Sequence, residues 1–211
     1  MLQLLRLRIE SRMKKNNVEQ KTDKWLHDRK GKITGTILKD IMGTPYKRKE
    51  AYYQLIANKL SVGVEGDYET DMDRGNRLEP EAIAVFEFET GLSTEQIGII
   101  ESDENKDIAQ SPDRYVKNTD DSEAVEVKCP AGKNYVKLWL TNEIPDDYRW
   151  QCVQYFVVNP KLKKLYFVGY NPLISVHPIH IIEVTRETFE EDIRSALQAQ
   201  HKILSEVNEK L

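Results

Sequence analysis

The sequence predicts an α/β (α+β) domain, a mixed central β-sheet flanked by helices. Three observations carry that reading: apolar residues at helical spacing early in the chain, a cluster of short strand-like runs in the middle, and alternating helix and strand towards the end. With 211 residues, 39% of them hydrophobic, the chain can build a core. At this length folding buries about 70% of the unfolded surface. No internal repeat and no linker rich in proline, glycine or serine divides it. Residues 23–211 are therefore read as one domain, behind an N-terminal helical extension over residues 1–22.

The elements follow in order. Met1 to about Asn16 reads as a mixed-charge helix; Arg6 and Arg8 interrupt its apolar start and no small-residue cleavage site follows, so a helical extension is expected rather than a signal peptide. "KWLHDRKGKITGTILKDIMG" carries Trp25, Ile33, Ile37, Leu38 and Ile41 between glycines, with Thr34 or Thr36 as the cap of a helix over Ile37 to Met42. "KEAYYQLIANKL" repeats Tyr52, Leu55, Ile56 and Leu60 at a helical period. In "NRLEPEAIAVFEFETG" Leu78, Ala82, Val85, Phe86 and Glu89 share a face, Pro80 falls in the first turn and Gly91 stops the helix.

"EQIGIIES", "IAQSPDRYVK" and "EAVEVKCP" read as successive strands, with "NTDDS" as the turn between the last two. A helix over "DDYRWQCVQYFVVN" leads to strands at "LYFVGYN" and "HIIEVT". A long amphipathic helix closes the chain, with Phe189, Ile193, Leu197, Ile203, Leu204 and Val207 near helical spacing and a capping box from Thr188 to Glu191.

Composition narrows the function classes. A net charge of −4 argues against a generic polyanion binder, although a local basic groove matters more than the total. Cys129 and Cys152 make no disulfide framework, and with four scattered histidines they match no zinc spacing. They read as reduced, partly buried thiols in a reducing compartment. No run is long enough to span a bilayer, so a cytoplasmic chain without a membrane partner is expected.

The chemistry concentrates in "AQSPDRYVKNTDDSEAVEVKCP". Strand alternation puts Glu126 and Lys128 on one face, and Asp113, at the start of the preceding strand, can reach the same end. Two carboxylates converging with an ammonium suit Mg²⁺ or Mn²⁺, with the Val127 carbonyl as a further oxygen ligand. The lysine could orient or deprotonate a water, or steady developing charge. The bland alternative is a hairpin with solvent-facing charges.

Three more features bear on that choice. Glu79 sits at a helix start, with Gly75 just before it allowing close backbone approach; a third carboxylate would complete a site for two cations, and otherwise it is an acid favoured by the helix dipole. Gln151 and Gln154 fall on a largely apolar helix, where an amide asks for a polar partner such as a metal-bound water, or else marks an exposed edge. Arg29, Thr34 and Thr36 cluster around glycines as a phosphate cradle would, or as a capped helix beside a surface arginine.

Trp25, Arg29, Gly31, Ile33-Thr34 and Thr36 resemble the opening motif of the phage lambda-type exonucleases, the viral recombinase branch of the PD-(D/E)XK nucleases. "RGNRLEPEAIAVFEFETG" is similar to that family's helix motif, and "SPDRYV" with "VEVKCP" to its catalytic core. The resemblance covers about Trp25 to Asn171 and implies a restriction-endonuclease-like core. It implies that Glu79, Asp113, Glu126 and the Val127 carbonyl hold metal, as two Mg²⁺ or Mn²⁺ ions, and that Lys128 acts on the attacking water. Arg29, Thr36 and Ser111 would hold a terminal 5′-phosphate. Gln154 fits the family's active-site glutamine in a gapless alignment, and Gln151 after a one-residue shift. Arg114 departs from the glycine usual after the catalytic aspartate.

The activity so implied is 5′→3′ digestion of double-stranded DNA from its ends, leaving 3′ single-stranded tails. The implied enzyme is a homotrimeric ring that works with a single-strand annealing protein in phage recombination, in the cytoplasm of a bacterial host. Two rivals stay open: an endonuclease or repair nuclease of the same superfamily, and a non-catalytic DNA-binding module.

Overall fold

The computed structural model describes residues 24, 33, 35–62 and 70–209 of the chain. The expected N-terminal extension, Trp25, Arg29, Gly31 and Thr34 lie outside the described residues.

The first two helices with a described range are α1 (Gly35–Ile41) and α2 (Pro45–Leu60). Helix α2 starts where Thr44 accepts a hydrogen bond from the Lys47 amide at 3.3 Å and Pro45 fills the first position. Its buried face is Ala51, Tyr53 and Ala57, so the expected stripe is rotated and Tyr52 points to solvent. The smaller alanines let α2 come close to its helical neighbour.

Helix α3 (Asp71–Thr90) is longer than its apolar period predicts. The Thr70 hydroxyl accepts from the Asp73 amide at 3.1 Å, which starts the helix at Asp71 and leaves Pro80 in the interior, not the first turn. Proline there removes the amide that Asn76 would have bonded; Asn76 is exposed, so water can take its place. Glu79 is therefore mid-helix, and the dipole reading of it falls away. The far end is as expected, with Gly91 in the left-handed conformation at φ 70°. Leu78, Ala82, Ile83 and Phe86 face inwards, while Glu89 is exposed.

Five strands form the main sheet in the order β1-β4-β5-β6-β7, namely β1 (Thr94–Glu95), β4 (Arg114–Val116), β5 (Glu123–Lys128), β6 (Lys164–Tyr170) and β7 (Ile179–Thr185). All neighbours are antiparallel except β5 and β6, which makes the sheet mixed as predicted. A separate hairpin pairs β2 (Ile100–Glu101) with β3 (Ala109–Gln110). Two expected strands are thus each split between sheets: "EQIGIIES" supplies Glu95 of β1 and all of β2, and "IAQSPDRYVK" supplies β3 and β4. Ser111-Pro112 causes the second break, since proline has no amide for a continuing ladder.

The crossover from β5 to β6 contains α4 (Gly132–Thr141) and α5 (Asp146–Val158). Helix α4 has no counterpart in the sequence reading; it buries Tyr135, Val136 and Leu138, and Asn142 ends it at φ 52°. A helical turn over Arg186–Phe189 leads into α6 (Glu190–Asn208). The cap here joins Thr185 to Thr188, whose hydroxyl accepts the Thr185 amide at 3.4 Å, and replaces the expected Thr188–Glu191 box.

Strand alternation divides the core. Val125, Val127, Tyr166 and Val168 pack with α3, while Ala124, Leu165 and Phe167 pack with Cys152, Phe156 and the start of α6. A third cluster joins Tyr53 and Ala57 of α2 to Tyr135 and Val136 of α4. Gly169 lets α4 sit on β6: a Cβ there would overlap Leu138 Cδ2 and stand 3.6 Å from Tyr135 Cε2. Gly169→Ala should therefore destabilise the fold by about 1–3 kcal/mol, the usual range for overpacking. The check is a lower urea midpoint at unchanged m-value; an unchanged midpoint would show that α4 is not seated there.

Candidate active site

Glu126 and Lys128 point to the same face of β5, the one packed against α5. That face is apolar around Glu126, whose side chain is 1% exposed. A carboxylate there needs partners, and it has two: the Lys128 ammonium donates to Oε1, and the Tyr155 hydroxyl donates to Oε2 at 2.6 Å. The same hydroxyl accepts the Asp113 amide at 3.0 Å. Asp113 in turn accepts the Val127 amide through Oδ2 at 2.7 Å. Tyr155 thus ties the start of β4, the middle of β5 and α5 together.

Glu79 reaches the site from α3, with an Arg114 guanidinium nitrogen 3.7 Å from its Oε1. The same nitrogen of Arg114 donates to the Asp113 carbonyl at 2.7 Å. The guanidinium therefore bridges two acidic residues. Arg74 fastens α3 to the end of β5, donating to the Cys129 carbonyl at 2.9 Å, and Asn171 holds the Pro130 carbonyl at 2.9 Å.

A cavity of about 280 Å³ opens between these elements. Glu79, Asp113, Val127 and Lys128 line it, with Gly75 and Tyr148 on its walls. The Lys128 ammonium lies 5.4 Å from the Tyr148 ring centre, a cation–π distance.

Burial and the Asp113 charge raise the Glu79 carboxyl above the ordinary carboxylate range, and the same two causes raise Glu126. Burial pulls Lys128 down, but Glu126 and then Asp113 outweigh it and leave the ammonium above the usual lysine value. Lys128 is therefore charged at neutral pH. It can orient water or steady negative charge, and proton abstraction by it would require another cation to take Glu126. Burial pushes the thiols of Cys129 and Cys152 up to about 12, so both are inert, and both are free and buried as expected.

The donor set consists of hard oxygens, which magnesium and manganese take. Among the described residues no three acidic, histidine or cysteine side chains are gathered into a ready cation cage. Protein partners account for this, because Lys128 and Tyr155 engage Glu126, the Val127 amide engages Asp113, and Arg114 stands by Glu79. Glu79 and Asp113 still face the cavity with Lys128, and Glu126 lies directly behind Lys128. The residues fit a divalent ion on those terms.

The other predicted residues are placed differently. Gln154 bonds the Ala109 carbonyl at 3.1 Å and pairs reciprocally with Gln200 of α6, so its amide belongs to the α5–α6 contact. Gln151 is exposed and lies one helical turn from both Tyr148 and Tyr155, which puts it on the side of α5 nearer the cavity. Ser111 donates to the Gly98 carbonyl at 2.7 Å, and it does not line the cavity. Thr36 falls in α1, and Arg29 lies outside the described residues. Sequence reasoning missed Tyr148, Tyr155 and the bridging role of Arg114. The spacing Tyr148–Cys152–Tyr155, one inward face of a helix, was the signal available.

Removing the Tyr155 hydroxyl leaves Glu126 Oε2 and the Asp113 amide without that partner. Tyr155→Phe should weaken Mn²⁺ binding about 10–100-fold, the usual cost of losing a group that orients a ligand. Isothermal titration on a variant with native circular dichroism would measure this, and wild-type affinity would show that Tyr155 does not orient the carboxylates.

The comparisons agree with the motif resemblance. No curated protein matches the chain. The crystal structure of an alkaline exonuclease (LHK-Exo) from Laribacter hongkongensis aligns over 90% of this chain and 99% of its own, at 24% identity and TM-score 0.51. The structure of LHK-Exo in complex with dAMP aligns over the same shares at 24% identity and TM-score 0.53. The mixed sheet with flanking helices is thus the PD-(D/E)XK fold. The family model for the YqaJ-like viral recombinase domain matches residues 24–161, which include every element from α1 to α5 and the whole acidic cavity, and the chain belongs to that family.

Proposed function

We propose that this chain is a divalent-metal-dependent deoxyribonuclease that digests double-stranded DNA 5′→3′ from its ends and leaves 3′ single-stranded tails. The observation that supports it most is the arrangement of Glu79, Asp113 and Lys128 on one cavity, with Glu126 directly behind Lys128. Family membership and fold support a nuclease; the polarity and end requirement come from the motif resemblance. Asp113, Glu126, Glu79 and the Val127 carbonyl would hold the cations, two per site. Such ions supply Lewis-acid polarisation of the phosphate and a water of lowered pKa. Lys128 contributes a fixed positive charge beside the reacting phosphate, and Tyr155 holds the two core carboxylates in register.

Arg29, Thr36 and Ser111 are proposed to receive the terminal 5′-phosphate. Ser111 is engaged with Gly98, away from the cavity, and this favours keeping the endonuclease reading as the rival. One assay separates them. Purified protein with Mg²⁺ should degrade linear duplexes, prefer 5′-phosphate over 5′-hydroxyl ends, and leave covalently closed circles intact. Lys128→Ala should lower the rate by at least about a hundredfold, within the range for losing one electrostatic stabiliser. Cutting of closed circles would replace the exonuclease with an endonuclease, and full activity of the Lys128 variant would remove the site.

No helix among the described residues is long and apolar enough to cross a membrane. We place the enzyme in the cytoplasm of a bacterial host, as a phage or prophage protein acting with a single-strand annealing protein. A homotrimeric ring fits a chain whose net charge of −4 gives little general attraction for DNA, because threading retains the substrate between cuts. Light scattering should report three times the 24.6 kDa chain mass, with tract length only mildly reduced by added salt. A monomer that releases DNA after a few nucleotides would exclude the ring.

A further inference from the structure

Gly75 lies in the second turn of the 20-residue helix α3, where glycine is the poorest helix former after proline. Neither ordinary reason for a glycine applies. Its backbone is not in the left-handed region, since Gly91 is the one glycine with positive φ among the described residues. No described neighbour needs the space either: among the described residues, a Cβ at Gly75 would meet nothing within 4 Å. Gly43 and Gly169 differ: a Cβ at Gly43 would come within 3.2 Å of the Asp40 carbonyl, and one at Gly169 would overlap Leu138. Gly98 also has open space, but it sits in an exposed loop where no helix is weakened. Among the described residues, the close approach of a protein neighbour expected at Gly75 is therefore absent.

What Gly75 does face is the cavity of the acidic site. It stands one helical turn before Glu79, a separation of about 5–6 Å along the helix. Asp71 and Glu79 flank it on the same helix face, Asp71 paired with Arg74 and Glu79 standing near Arg114. Its immediate neighbours on that wall, Met72 and Asn76, are uncharged and suit the neutral part of a nucleotide.

We propose that Gly75 is a steric notch, in which the deoxyribose beside the scissile phosphodiester lies directly against the α3 backbone. The proposal rests on the nuclease reading and adds a substrate-positioning residue to it. The helix accepts a weak residue because a side chain there would occupy the path of the strand.

The test uses Gly75→Ala and Gly75→Val in the full chain, on linear 5′-phosphorylated duplex with Mg²⁺ and with Mn²⁺. Gly75→Ala should raise Tm by about 1–3 °C, as a better helix former does in a domain of this size. The same variant should cut duplex at least ten times more slowly, and Gly75→Val more slowly still. Gly75→Ala that cuts as fast as wild type would overturn the notch alone. A slower Gly75→Ala with a lowered Tm would also overturn it, because the glycine would then serve the fold. Wild-type protein that cuts no DNA with either ion would instead remove the nuclease reading on which the notch stands.

Discussion

The structure turns on one awkward placement, a carboxylate on the apolar face of a central strand. Glu126 sits between strands β4 and β6 in the middle of the sheet, 1% exposed, where an unpartnered charge would cost several kcal/mol. Its two oxygens are each engaged, one by Lys128 two residues along the strand and one by Tyr155 from the covering helix. Tyr155 can serve only if α5 crosses the sheet at this height, so the partner requirement also fixes the docking of α5. The hydroxyl's second bond, from the Asp113 amide, then fixes where β4 begins. A chain that satisfies Glu126 has assembled most of the acidic site.

The opposite side of the cavity is held by different means. Helix α3 packs its apolar face on Val125 and Val127, and Arg74 pins it to the Cys129 carbonyl. With those contacts made, Glu79 projects towards Asp113, and two acids approach one another. Arg114 reduces the repulsion, standing near the Glu79 carboxylate while donating to the Asp113 carbonyl. A glycine at this position would leave that repulsion without a guanidinium beside it. The arginine thus offsets the approach of the two carboxylates.

Much of this was legible from spacing. Period-two alternation predicts that Glu126 and Lys128 share a face, and the hairpin brings Asp113 beside them. The reading failed where tertiary contacts override local pattern. Helix α4 is ten residues between two prolines, too short for its period to stand out, and it forms because Tyr135, Val136 and Leu138 have α2 and β6 to cover. Pro80 suggested a helix start, but the Thr70 cap and the Arg74 anchor extend the helix past it. Gln154 looked like a buried amide seeking a site, and its partner proved to be Gln200, 46 positions away. Tyr155 was passed over because a tyrosine in an apolar helix reads as core, and only the fold reveals what its hydroxyl meets.

Charge remains to be reconciled with a polyanionic substrate. The cavity is acidic and the chain carries net negative charge, so under the proposed function the surface suited to a phosphate backbone is a basic group set apart from the carboxylates. Helix α2 supplies such a group at Lys47, Arg48 and Lys49, all exposed. Its location follows from the ion pairs of Glu50, which lies 2.8 Å from Lys133 and 3.7 Å from Lys137. Those lysines occupy the first two turns of α4, the same turns that bring Ala131 and Asn134 to the cavity wall. The start of α2 is thereby set beside the start of α4, near the cavity but not within it. This separation keeps the basic rim apart from the carboxylates of the cavity, the division of charge that the proposed nuclease function calls for in one small domain.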